Sequence, residues 1–194
     1  VHRGTKVRKC HTSRRNAFES INTPILARVR ARDLAIEMAL EDFRVRNQSR
    51  KTVLMPNFDD RVALIKFYPS MNPEIISWTV DRGYRGIVLE GTGLGHVGRT
   101  LYGPIRKAIE NGVVVGMSSQ CIWGKVHMNV YYTGRDLLEL GVLPLSDMLP
   151  ETSLVKMMWA LGQTSDQRHV REIMLTNLVS EFSLRRVGEQ STHE

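Results

Sequence analysis

The chain has 194 residues, 42% of them hydrophobic and 24% charged, with a net charge of +7. That balance lets a chain of this length bury a core and excludes disorder of the whole. Its apolar runs, such as 113–117, fall far short of the roughly 20 residues that a membrane helix needs. No apolar segment of a secretory signal follows the basic N-terminus, so a soluble, cytoplasmic protein with no membrane association is expected.

Two cysteines, Cys10 and Cys121, lie far apart, which supports neither a disulfide framework nor a cysteine zinc site. The charge is lopsided. Residues 1–58 hold 13 Lys+Arg against 5 Asp+Glu, and residues 59–194 hold 14 against 15, so the whole positive excess belongs to the first segment. RNA contact is one reading of it and a solvated face or partner-protein surface is the other. Only Phe18, Phe43 and Phe58 could stack on bases there.

In chain order, Val1 to Arg8 alternates like a strand with no cap or turn before it, which suggests a chain entered within a larger domain. Ile25 to Ala31 reads as a half-buried strand, with Ile25, Ala27, Val29 and Ala31 on one face. A polar connection follows, and Arg44 to Asp60 has linker composition. From Arg61 the pattern repeats: strand 62–68, helix 73–82 opened by Pro73, strand 86–90, helix 100–110 closed by Asn111-Gly112, and strand 113–118. Short helix 134–140, strand 142–145, helix 150–161 and helix 167–176 complete it, and the tail from Arg185 carries no periodic signal. Strands alternating with helices imply right-handed crossovers and a parallel sheet. Ligands in such sheets favour the carboxyl ends of the strands, here Pro69-Ser-Met-Asn, Glu90-Gly-Thr-Gly and Ser118-Ser-Gln-Cys.

Three constellations could carry chemistry. Gly93-Leu-Gly95-His-Val-Gly98 fits the G-x-G-x-x-G of dinucleotide sites, but the next strand ends without the acidic ribose partner, which favours a glycine-rich strand-to-helix turn with room for close backbone approach. Ser118 to Cys121 could supply a nucleophile, with His96 or His127 as base and Asp147 as orienter, although the G-x-S-x-G elbow is absent. His11, His96 and His127 have no metal-ligand spacing, so no metal site is expected. The third is Lys9, with Arg8, Arg14 and Arg15 near it in sequence: like charge lowers a lysine pKa, as a lysine general base requires.

Lys9-Cys-His-Thr followed by Ala17-Phe18-Glu-Ser20-Ile-Asn22 resembles the K-x-H-x(5)-A-F-x-S-x-N stretch of the asparaginase and glutaminase family. The resemblance continues through Tyr68-Pro69, Gly86 to His96, Ser118 to Cys121, Tyr132-Thr-Gly134 and Asp147-Met-Leu-Pro-Glu151. Within that family, Lys9 to Phe18, Gly91 to Val97, Asp147 to Glu151 and Met158 to Gly162 are similar to the archaeal branch that serves glutamyl-tRNA(Gln) amidotransferases. The resemblance implies an α/β fold, with a remnant of the larger N-terminal catalytic domain over 1–45 and a linker over 46–60. A small parallel-sheet, flavodoxin-like C-terminal domain over 61–184 and a tail over 185–194 would follow.

It also implies a glutaminase or asparaginase acting through a threonine acyl-enzyme and a Thr-Asp-Lys triad, of which Lys9 is the catalytic lysine and the sole member on this chain. No Gly-Gly-Thr strand end and no Thr-Asp-Thr occurs in the 194 residues, so activity of this stretch alone is not expected. The implied partners are the E subunit of the amidotransferase, a second copy in a homodimer, and tRNA(Gln) mainly through the E subunit. The substrate is glutamine or asparagine. No cofactor belongs to this subunit, ATP and magnesium being used by the partner. A plain cytoplasmic L-asparaginase without a tRNA role is the alternative.

Overall fold

A computed structural model describes residues 1–39 and 46–183. The start of the expected linker, the polar connection before it and the tail from Arg185 lie outside the described residues in whole or in part.

Four strands, β5 (Val62–Lys66), β6 (Gly86–Gly91), β7 (Val114–Ser119) and β8 (Leu143–Pro144), form one parallel sheet in the order β5-β6-β7-β8. Between them run α1 (Glu74–Asp81), α2 (Tyr102–Glu110, entered through a 3-10 turn at Arg99–Leu101) and α3 (Tyr132–Glu139). After the sheet come α4 (Pro150–Gln163) and α5 (Gln167–Leu175). Every residue of β6 is buried, because helices cover both faces of the sheet and leave no solvent side for alternation.

The period of two along the strands sorts the core into two layers. Ile87, Leu89, Val115 and Met117 pack with Ile76 of α1, Ile105 and Ala108 of α2 and Leu137 of α3. Val88, Val114 and Leu143, one residue out of step, pack with Met157, Ala160 and Leu161 of α4 and with Val170 and Met174 of α5. Each large aliphatic side chain so buried contributes about 1.5–3 kcal/mol. The methionine pair at the middle of α4 divides accordingly: Met157 is fully buried, while Met158 packs at the margin of this layer.

Residues 46–61 form no helix or strand, but 55–59 lie against α4. Trp159 donates its indole N–H to the Met55 carbonyl, Gln163 donates to the Asn57 carbonyl, and the Asp59 N–H bonds to the Met158 carbonyl. A Cβ at Gly162 would fall 2.4 Å from the Asn57 carbonyl oxygen. Hydrogen bonds and this close approach therefore hold a segment of linker composition on the helix.

The first 39 residues form two short antiparallel ribbons. β1 (Val7–Lys9) pairs with β2 (Phe18–Ser20), and β3 (Ala27–Val29) pairs with β4 (Ile36–Met38). The expected strand from Val1 is a 3-10 turn at Gly4–Lys6 before β1. The half-buried strand expected over 25–31 is cut to three residues, of which Ala27 alone is buried; Val29 is 52% exposed and its β4 neighbour Ile36 67%. Alternation marked the strand but not how far its burial extends, since the face is covered at Ala27 and open at Val29, and β4 gave no such signal.

Candidate functional site

The ribbon β1-β2 stands at the carboxyl edge of the parallel sheet, where the loops after β7 and β8 and the start of α4 meet it. Its root is Lys6, whose carbonyl accepts from the Ile21 N–H. The Lys6 side chain is 1% exposed, and its ammonium donates to the Asp147 carboxylate at 2.5 Å and to the Asp147 carbonyl at 3.0 Å. The other carboxylate oxygen of Asp147 accepts from the Ser183 N–H at 2.7 Å. Burial holds the Lys6 amine below its ordinary value, an effect that the hydrogen bond and charge of Asp147 oppose and the charge of Arg3 reinforces.

Around this pair the ribbon is tied further. Thr152 donates to the Thr5 carbonyl at 3.0 Å, and Arg8 pairs with Glu151 at 3.1 Å. Asn22 exchanges two hydrogen bonds with the backbone of Gly124, one in each direction. Lys6 and Arg8 thus turn toward the second domain, and the two-residue period sends Val7 and Lys9 to the opposite face. Lys9 is exposed, directly across the ladder from Phe18. Of the arginines near it in sequence, Arg8 pairs with Glu151 and Arg14 with Glu19 at 3.6 Å.

The nucleophile constellation does not assemble among the described residues. Ser118 is buried and its hydroxyl donates to the Met148 carbonyl; Ser119 donates to the Gly93 carbonyl. His96 lies edge-on to Tyr131 and its Nε2 bonds to nothing described. Asp147, expected to orient a histidine, holds Lys6 instead. Gln120, just past β7, donates to the carbonyls of Phe67 and Glu90 and so laces three strand ends together where an open crevice would lie.

The glycine pattern has a packing explanation too. Thr92 and His96 bridge in a tight reverse turn, and Gly95, at φ +99°, lies where a Cβ would meet Val126 and Met117 at under 3 Å. The loop ends at Gly98, whose extended backbone caps the 3-10 turn that leads into α2. No group of three or more His, Cys, Asp or Glu able to hold a metal occurs among the described residues. Both cysteines are exposed and unpaired with each other.

Sequence reasoning missed Lys6, Asn22, Thr152 and Ser183 as the partners that fix the ribbon. Lys6 gave no signal, being one of several bases in a basic stretch. Asp147 carries one, as an acid three residues before a helix-opening proline, but residue type alone pairs it with a histidine.

Residues 61–174 match the model of the glutaminase/asparaginase C-terminal domain, and residues 1–41 match the N-terminal asparaginase model. The chain is 52% identical over 185 residues to the D subunit of glutamyl-tRNA(Gln) amidotransferase from Metallosphaera sedula, covering 95% of this chain and 42% of that protein. It thus spans about two-fifths of that relative's length. Among solved structures, the thermostable L-asparaginase of Thermococcus kodakarensis superposes with a TM-score of 0.83 at 35% identity, over 93% of this chain and 54% of that one. L-asparaginase I of Vibrio cholerae gives 0.84 at 30%, over 94% and 55%. By the family model that spans its second domain, the chain belongs to the glutaminase/asparaginase family.

Proposed function

We propose that this chain is part of a glutaminase subunit that releases ammonia for the conversion of glutamyl-tRNA(Gln) to glutaminyl-tRNA(Gln) in the cytoplasm. The observation that carries the reading is the likeness, near half identity along almost the whole chain, to the D subunits of glutamyl-tRNA(Gln) amidotransferases. Lys9 is the catalytic lysine in this reading. Its amine takes a proton from a threonine outside these residues, within a Thr-Asp-Lys triad, and a second threonine forms the acyl-enzyme that water resolves. The exposure of Lys9 on the ribbon's outer face, with its neighbours Lys6 and Arg8 turned away and paired, supports that role by leaving the amine open to partners from the rest of the protein.

In the same reading the protein is a homodimer that works with the amidotransferase's E subunit. That partner supplies most tRNA contacts and uses ATP and magnesium, and the present chain needs no cofactor. Residues 1–45 then complete the catalytic domain, 46–60 join it to the domain over 61–184, and 185–194 are a tail. A plain L-asparaginase is the second reading, favoured by the likeness to two solved L-asparaginases. Ammonia release by the full-length protein from glutamine and asparagine, with and without the E subunit and tRNA, separates them. Stimulation of glutamine hydrolysis by partner and tRNA supports the first; partner-independent asparagine hydrolysis supports the second.

A further inference from the structure

Lys6 and Asp147 form a buried ion pair across 141 residues of sequence, and neither faces the surface that carries Lys9. Isolated ion pairs of this kind are weak sources of stability, because desolvation offsets much of their attraction; what they fix well is geometry. The Lys6 ammonium is held by both the carboxylate and the carbonyl of Asp147, and Asp147 is itself held by the Ser183 N–H. Lys6 continues directly into β1, whose last residue is Lys9, and its carbonyl closes the ladder to Ile21. The outer end of the ribbon is secured by its own ladder and by the Cys10 N–H to Ala17 carbonyl bond, with exposed residues beyond. The root is therefore where the second domain can set the position of Lys9.

We propose that Lys6 and Asp147 are positioning residues for Lys9, a clamp by which the C-terminal domain sets the place and direction of the catalytic amine. The inference rests on the reading of Lys9 as the triad lysine. The clamp acts on backbone register: without it the three-residue strand, with few ladder bonds of its own, shifts or tilts, and the Lys9 amine leaves the line of proton transfer. The neighbouring Arg8–Glu151 pair, half exposed, cannot replace it.

The test uses the full-length protein and ammonia release from glutamine. The double variant Lys6→Met/Asp147→Asn removes both charges, so that no carboxylate is left buried and unpaired, and keeps an acceptor for Ser183. The clamp predicts a fall in kcat of about 10- to 100-fold, as displacement of a catalytic group by about an ångström brings, with a much smaller change in KM. It also predicts a shift of the pH-rate limb that reports the lysine, and recovery of most of kcat in Lys6→Arg.

Asp59→Asn is the control. It unpairs Arg85 at the opposite, amino end of β6, so it lowers thermal stability without altering kcat or the pH profile. If the double variant fails to fold, Lys6→Gln/Asp147→Asn, which also leaves no buried charge unpaired, carries the same readouts. A wild-type kcat and pH profile in the clamp variant, beside an inactive Lys9→Ala, overturns the clamp and leaves the catalytic reading standing. An active Lys9→Ala overturns both.

Discussion

Lys6 and Lys9 stand three residues apart on one ribbon and meet opposite environments. Lys6 is sealed against Asp147, and Lys9 is exposed beside Phe18. Removing the Lys6 charge alone leaves the Asp147 carboxylate buried without its cation, so Lys6→Met is expected to cost about 3–5 kcal/mol. Glu151→Gln, which breaks the half-exposed pair with Arg8, costs at most about 1 kcal/mol. Urea denaturation of the two variants beside wild type reads the difference.

A second buried pair, Lys156–Glu181, gives the fold a dependence on acid. Burial opposes ionisation of Glu181, but hydrogen bonds from Lys156 and from the Leu178 and Val179 N–H groups outweigh it and hold the carboxyl below its ordinary 4.5. A depressed carboxyl contributes stability that is present above its unfolded value and lost as pH falls through the folded one. The urea midpoint of wild type should therefore drop more steeply below pH 4.5 than that of Glu181→Gln, which starts lower. Parallel curves would show that Glu181 titrates as it does in the unfolded chain.

Gly162→Ala tests the docking of residues 55–59 on α4. The new Cβ meets backbone at Asn57 and Phe58, which cannot rotate away as a flexible side chain could. Overpacking of this kind costs about 1–3 kcal/mol, and the melting temperature should fall accordingly. An unchanged melting temperature would mean that the segment lifts off freely.

Adenine nucleotides should not bind this chain. The Gly93–Gly98 loop folds back on itself through the Thr92–His96 bridge and packs against Val126 and Met117, and the strand that follows ends without a carboxylate for a ribose. Titration calorimetry with NAD and with ATP is expected to give no binding heat, and a saturable signal would restore the nucleotide reading of the glycine pattern.

The parallel sheet and its helices were legible because the second domain is locally consistent: apolar strands, Pro150 opening α4, and Asn111-Gly112 closing α2 within a residue or two of the observed ends. The first 39 residues were far less so. Their strands are three residues long, so the alternation that marked β3 overran its ends, and Ile36 and Met38 are exposed, so β4 showed no buried face. At the candidate site, the motif around Lys9 was visible, but the contact that secures it was not. Pairing of Lys6 with Asp147 joins opposite ends of the sequence, and no periodicity or spacing encodes a long-range contact. Ser118 and Asp147 drew a nucleophile reading by residue type alone, where the structure uses one to bond a carbonyl and the other to hold a lysine.

The proposed chemistry depends before all else on the Lys9 amine. Its decisive test is ammonia release from glutamine by the full-length protein, wild type against Lys9→Ala, with thermal melts confirming that both are folded. Loss of a positioned general base predicts a fall of about 10²- to 10⁴-fold in kcat. A folded Lys9→Ala variant with undiminished turnover would show that Lys9 is not the catalytic amine.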